Sequence, residues 1–158
     1  MIAFELERRV RALLDRYIRI VDDDRLEEWP GLFTAGGLYE VTTRENHGRA
    51  LPLPLMSCHG RGMMQDRVTG YRRINVYEPH RYHHQLSGLQ CEQLADGSVR
   101  SLCGFLVVRT MHSGATAIFA SGVYEDAIVQ EADGELRFAQ RKAITDSRQI
   151  DTLLVIPL

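Results

Sequence analysis

The sequence predicts an α+β fold in which N-terminal helices pack inside a strongly curved antiparallel or mixed sheet. Three observations carry that expectation. Residues 3–22 repeat apolar side chains at helical spacing, and from Asn75 onward the apolar period changes to two. The two-fold stretches are separated by Asp96-Gly97, Ser113-Gly114 and Asp133-Gly134, pairs that suit tight hairpins. Helices followed by a meander give α+β rather than a doubly wound sheet.

In the first segment Phe4, Leu6, Val10, Leu13, Leu14, Tyr17, Ile18 and Val21 fall on one face, with Glu and Arg on the other. The run Asp22-Asp23-Asp24 ends this helix and offers an N-cap to a second, short one over Arg25–Trp29, which Pro30 closes before Gly31. Gly36-Gly37 reads as a turn, and Leu38–Thr43 alternates as a strand. The stretch Arg44–Gly62 is rich in Gly, Pro and His and reads as a long loop, with a short strand near Leu53–Met56. A loop of that length in a compact domain is usually a functional or interface element. Met63–Tyr71 reads as a helix. Four strands follow, Val76–Gln93, Val99–Met111, Thr116–Gln130 and Leu136–Asp146. Strands this long beside a helix pair imply a sheet that curls over them. Phe105–Arg109 reads as buried strand, and Trp29 as an anchor where the helices meet the sheet. The apolar tail Thr152–Leu158 is either tucked into its own core or given to a partner.

A chain of 158 residues fits one domain over 1–158, and 44% apolar residues suffice for a core. A net charge of −2 with scattered basic residues speaks against nucleic acid or an anionic membrane as partner. No apolar run approaches the ~20 residues of a membrane span. The charged first helix does not pattern as a signal peptide, which makes the cytoplasm the expected location. Cys58, Cys91 and Cys103 are odd in number and widely spaced, and read as reduced core residues.

Chemistry is sparse. Glu78-Pro79-His80-Arg81-Tyr82-His83-His84 places His80, Tyr82 and His84 on one strand face. Two such histidines and a carboxylate are a conceivable metal pair. With no second cluster at ligand spacing, hydrogen-bonded side chains at a sheet surface are the better reading. A Rieske cluster takes two Cys and two His ligands, normally as CxH and CxxH pairs. Neither pair occurs, since Cys58-His59 are adjacent and no His follows Cys91 or Cys103 at those offsets. An acid–base site in a cone-shaped pocket would draw on Asp22–Asp24, Tyr39, Tyr77, His80, His84 and His112, but no spacing singles out a pair. Ser57 lies in MSCHG, not in a nucleophile elbow, and no phosphate loop is present. No catalytic, cofactor-binding or metal residue is therefore assigned.

Assembled, these segments resemble the small (beta) subunits of aromatic-ring-hydroxylating dioxygenases. VDDDRLEEWPGLFTAGGLYEV (Val21–Val41) is similar to that family's helix–helix–strand opening. RENHGRALPL (Arg44–Leu53) and MMQDRVTGYRRINVYEPHRYHH (Met63–His84) are similar to its loop, helix and N-I-Y-E-x-H-R-Y-R-H strand. FLVVRTMHSGATAIFASGVYEDAI (Phe105–Ile128) and the closing DTLLVIPL are similar to its last hairpin and tail. The likeness is strongest to subunits acting on aromatic carboxylates such as terephthalate, salicylate and halobenzoates, although His83 stands where Arg is more usual.

The resemblance implies the cone-shaped fold of nuclear transport factor 2 and scytalone dehydratase (NTF2-like). It implies a structural, non-catalytic subunit with no cofactor of its own. A larger alpha subunit would carry the Rieske [2Fe–2S] cluster and the mononuclear Fe(II). The assembly would be α3β3 around a β3 ring, with NADH electrons arriving through a reductase or ferredoxin. His80, Arg81, Tyr82 and His84 are then the expected subunit-interface residues, since Arg and Tyr favour interface centres. Two other readings stay open: a stand-alone dehydratase, isomerase or cyclase with the same fold, and a small-ligand-binding module.

Overall fold

The computed structural model describes residues 2–49, 53–74, 77–150 and 154–158. Helix α1 (Phe4–Asp22) buries Val10, Leu13, Leu14, Tyr17, Ile20 and Val21, while Glu5 and Glu7 in its first turn complement the helix dipole. Phe4, counted with the apolar face from sequence, points to solvent. The chain then turns through Asp24 in a left-handed conformation (φ 58°), which a short acidic residue tolerates.

The second helix departs from expectation. It is a 3₁₀ helix, Leu26–Leu32, with Pro30 inside it and Arg25 rather than an aspartate at its N-cap. Pro30 is the fifth residue of this helix and donates no hydrogen bond to it, while its carbonyl accepts the Phe33 N–H that closes the helix. Trp29 is fully buried and meets Phe33 and Tyr39 edge-on at 5.8 and 5.1 Å between ring centres, the anchoring role read from the sequence.

Strand β1 (Phe33–Thr43) runs straight through Gly36-Gly37, so the expected turn there is a bulge. Its register with β6 (Leu136–Thr145) shifts between Phe33 and Leu38, which lets the chain bend without leaving the sheet. The expected loop over Arg44–Gly62 is partly ordered. Thr43 Oγ1 accepts the Asn46 N–H at 3.1 Å and caps a short helix α2 (Arg44–Gly48). Strand β2 (Met56–His59) pairs antiparallel with β1, a few residues later than the Leu53–Met56 strand read from sequence. Helix α3 (Arg61–Arg73) extends the expected Met63–Tyr71 helix at both ends.

Strands β3 (His80–Gln93), β4 (Val99–Met111) and β5 (Thr116–Gln130) complete a six-stranded sheet in the order β2-β1-β6-β5-β4-β3. The β1–β6 pair is parallel and all others antiparallel, which makes the sheet mixed. The bounds of β4 and β5 are those read from the sequence, and β6 ends one residue early, at Thr145. The strand start read at Val76 and the tail start read at Thr152 lie outside the described residues. Each hairpin glycine takes positive φ, 85° at Gly97, 92° at Gly114 and 83° at Gly134, as the turn signals require.

One face of the sheet is alternately buried. Val99, Ser101, Cys103, Phe105 and Val107 of β4, Tyr124, Asp126 and Ile128 of β5, and Phe138, Arg141 and Ala143 of β6 all lie in the core. Helix α1 lies across this face, and the result is a cone with β3 at one edge and β2 at the other. Phe105 and Val107 are buried as read from the sequence, Leu106 and Val108 are only partly covered because they alternate to the outer face, and Arg109 shares the inner face with its guanidinium 4.7 Å from the centre of the Phe119 ring.

Surface pairs trim the periphery. Arg137 donates to Asp133 at 2.9 Å, and the Glu135 N–H donates to the same carboxylate at 3.0 Å. These two hold the Asp133 pKa down to about 2. Being depressed, it favours the fold above the ordinary carboxylate range, and that preference is lost as pH falls toward 2. A carbon-detected NMR titration should place the Asp133 midpoint near 2, and Arg137→Ala should return it toward 3.8. An unchanged midpoint in the variant would show that Arg137 is not the cause.

Candidate functional site

Among the described residues, three polar constellations lie in the interior of the cone. The first joins the end of α1 to the inner face of β3. Asp22 Oδ2 accepts the backbone N–H of His84 at 2.8 Å, and Asp22 Oδ1 meets the same residue's ring Nδ1 at 2.5 Å. Both side chains are shielded, with 0% of His84 and 5% of Asp22 exposed. Asp22 faces the Nδ1 side of the ring, and Nε2 is the nitrogen turned away from the carboxylate. Nε2 is buried and has no hydrogen-bond partner among the described residues. A carboxylate that fixes an imidazole in this way is the base-and-orienter arrangement of proton-transfer sites.

The second is an ion pair at the centre of the sheet. Arg141 of β6 donates through Nε and Nη2 to Asp126 of β5 at 2.9 and 3.1 Å, and Ser101 of β4 donates to Asp126 at 3.3 Å. Both charged side chains are completely shielded. The guanidinium also sits over the rings of Tyr17, Tyr124 and Phe138 at 4.1, 3.8 and 4.4 Å, an electrostatic contact strengthened by desolvation. Burial pushes the Asp126 carboxyl up, against the pull of Arg141. Burial alone would lower Arg141, but Asp126 and the two tyrosines hold it above its ordinary value.

The third lies at the floor of the cone. Tyr17 of α1 and Tyr39 of β1 donate their hydroxyls to the carbonyl oxygen of Leu158 at 2.5 and 3.1 Å, and the Leu158 N–H donates back to Tyr39 at 2.8 Å. Burial pushes the Tyr17 hydroxyl up to about 12 and Tyr39 well above its usual range, so both keep their protons. Leu154, Val155, Ile156 and Leu158 are buried. Arg67 of α3 donates to the Leu154 carbonyl at 2.8 Å. The described part of the tail is thus tucked into its own core, the first of the two fates read for it.

The remaining candidates scatter. Asp23 and Asp24 turn outward, Asp24 to Arg72 at 2.8 Å. Tyr77 stacks on Tyr71 at 4.7 Å and meets His80 edge-on at 5.9 Å, away from the dyad. His80, Arg81 and His112 line a recess of about 200 Å³ with Pro79, Thr110 and Met111. Of the four expected interface residues, Arg81 is exposed and His80 half-buried, whereas Tyr82 and His84 turn into the cone. Tyr82 stacks there on Phe119 at 5.1 Å. Among the described residues no group of three or more His, Cys, Asp or Glu is placed to hold a metal ion. Cys58 and Cys103 are buried free thiols, and Cys91 is partly buried.

Sequence reasoning had Asp22 and His84 among its candidates but could not join them across 62 positions. It missed Arg141, Asp126 and Tyr17 as polar groups altogether. The available signal was an Asp and an Arg at inward positions of neighbouring strands, where apolar residues are the rule.

The SnoaL-like domain model matches residues 3–142. The chain is 37% identical over 146 residues to the anthranilate 1,2-dioxygenase small subunit of Burkholderia cepacia, covering 92% of this chain and 90% of that one. It is 39% identical over 153 residues to beta subunit 1 of the terminal oxygenase component of terephthalate 1,2-dioxygenase from Comamonas sp., covering 96% and 98%. Among solved structures, a chain assigned as the beta subunit of an aromatic-ring-hydroxylating dioxygenase from Novosphingobium aromaticivorans superimposes with a TM-score of 0.86 at 33% identity, covering 95% of each chain.

Proposed function

The chain belongs to the SnoaL-like family and, within it, to the small (beta) subunits of aromatic-ring-hydroxylating dioxygenases, and from that premise we propose that it is the structural, non-catalytic subunit of an oxygenase acting on an aromatic carboxylate. The observation that carries this reading is near full-length similarity to small subunits named for anthranilate and terephthalate dioxygenases. Residues 1–158 act as one domain. The Rieske cluster and mononuclear iron belong to an alpha subunit, and NADH supplies electrons through a reductase, with the complex in the cytoplasm. The equal-stoichiometry α3β3 hexamer on a β3 ring is part of the same proposal.

The inside of the cone supports a scaffold role, because Arg141 is paired with Asp126, His84 with Asp22, and Tyr17 with the chain's own Leu158. What remains for a partner is the outer surface. Arg81, with His80 and His112, borders the recess at one end of β3 and β4, and we propose this rim as part of the subunit interface. An exposed Arg beside a preformed recess is the kind of anchor that dominates interfaces.

The test is co-expression of the chain with the genes neighbouring its own, followed by native mass and iron content of each separated subunit. The expected result is an iron-free small chain in near-equal ratio with an iron-bearing partner. Arg81→Ala should weaken assembly by about tenfold or more in dissociation constant. A complex that forms unchanged with that variant removes Arg81 from the interface.

The Asp22–His84 dyad is the observation that favours a second reading, a metal-free dehydratase, isomerase or cyclase. Turnover of a hydroxylated aromatic compound by the isolated, iron-free chain, abolished in His84→Gln, would establish it.

A further inference from the structure

We propose that the recess at the rim of β3 and β4 is a basic socket for a carboxylate side chain of the large subunit, and that its two histidines make assembly tighter as pH falls. The inference rests on the subunit reading above and adds to it the chemistry of the partner.

The socket is built before any partner arrives. His80 pairs with Met111, and Arg81 with Thr110, in the antiparallel register of β3 and β4. Beyond that ladder the His112 N–H donates to the Pro79 carbonyl at 2.9 Å, and the Thr110 and Thr116 hydroxyls meet at 3.1 Å. The enclosed volume is about 200 Å³, below the ~300 Å³ at which small-molecule pockets usually begin. That space suits one side chain of a partner better than a free ligand.

Its charge is of one sign. Arg81, His80 and His112 line it, and among the described residues none of the lining is acidic, although the chain as a whole carries a net charge of −2. Arg81 is exposed and has no carboxylate in ion-pair range among the described residues. By contrast Arg8, Arg25, Arg44, Arg72 and Arg137 each hold one at 3.0 Å or closer. A free guanidinium offers a planar fork that matches a carboxylate through two parallel hydrogen bonds.

The histidines add a dependence on protons. His80 Nδ1 lies 2.8 Å from the Glu78 carbonyl. A carbonyl only accepts, so Nδ1 carries a proton and Nε2 is the nitrogen that gains one as pH falls. Four other ionisable groups stand nearby. Glu78 is exposed and outside the lining, and His83 is exposed two residues beyond Arg81. Tyr77 meets the His80 ring edge-on at 5.9 Å, and Arg109 faces Tyr82 on the next rung of the ladder. A carboxylate seated against the imidazoles favours their charged forms. Binding then takes up protons, so it is strong below the histidine range and weakens as pH rises through it.

The experiment is reconstitution of the complex from the separated small chain and its iron-bearing partner, followed by sedimentation at about pH 6 and pH 8, either side of the ordinary histidine range. The dissociation constant should be roughly threefold or more lower at the acid end, and His80→Gln with His112→Gln should remove that difference. Arg81→Gln should weaken assembly about tenfold. Arg81→Glu should weaken it on the order of a hundredfold, because like charges then face each other across the interface. Each variant is required to melt at the parent temperature, which these surface positions allow.

A complex that forms with the parent chain but is indifferent to Arg81→Glu overturns the socket and leaves the subunit reading standing. A pH dependence that survives the double histidine variant overturns the histidines' part in it. Self-association of the isolated small chain that is lost in Arg81→Glu would put a second copy in the socket and overturn the choice of partner. Should no complex form at all, the subunit reading falls and the socket falls with it.

Discussion

Arg141→Ala should remove about 3–5 kcal/mol of folding stability, read from the midpoint of a urea melt. The loss follows from what is left behind. Asp126 is completely shielded and would keep only the Ser101 hydroxyl at 3.3 Å, so the carboxylate would have to be neutralised or drag in water. Three aromatic rings would also lose the guanidinium that sits over them. Against a typical total of about 5–15 kcal/mol, this is enough to depopulate the native state near body temperature. The double replacement Arg141→Met with Asp126→Leu removes both charges together and should recover much of the loss, as buried pairs replaced by apolar side chains often do. A single alanine variant within about 1 kcal/mol of the parent would mean that water reaches this pair in solution.

Gly122→Ala is the second large effect. Gly122 of β5 faces β6 so closely that a Cβ would overlap the Ile144 carbonyl oxygen and stand 3.0 Å from Thr145 Cα. Both are backbone atoms, so no side chain can swing away and the two strands must part. The expected cost is at or above the upper end of the ~1–3 kcal/mol typical of overpacking, accompanied by faster amide exchange along β5 and β6. Gly104→Ala is the control. There the added carbon would meet chiefly the Ser87 hydroxyl at 2.7 Å, which can rotate, so the cost should be clearly smaller. Equal costs at the two positions would show that β5 and β6 have room to spare.

The parts of the fold legible from sequence were those encoded over a few neighbouring residues. Alternation and hairpin dipeptides placed β4 and β5 to the residue, because a turn glycine and a period of two are local properties. What escaped was decided by partners far away in sequence. Gly36-Gly37 resembles a turn in isolation, yet parallel pairing with β6 draws it into a bulged strand. Pro30 resembles a stop, yet the burial of Trp29 and Leu32 carries the 3₁₀ helix past it. The site was less legible for the same reason. Asp22 shows as one of three aspartates, and only the path of β3 past the end of α1 selects it over its neighbours. Arg141 and Asp126 look like surface residues until strand register turns both inward and opposite each other.

The way Asp22 holds His84 also bears on the free edge of the sheet. Strand β3 is the last in the sheet, and its outward backbone groups would otherwise invite a second molecule to add a strand. By accepting the His84 N–H, Asp22 removes one rung from that ladder at the strand's inner half. The register shift between Ser87 and Gln90 breaks the straight run further along. An edge strand interrupted in this way offers a second molecule a shorter ladder to extend. The same carboxylate that looks like half of a proton-transfer pair also shortens the free edge of the sheet.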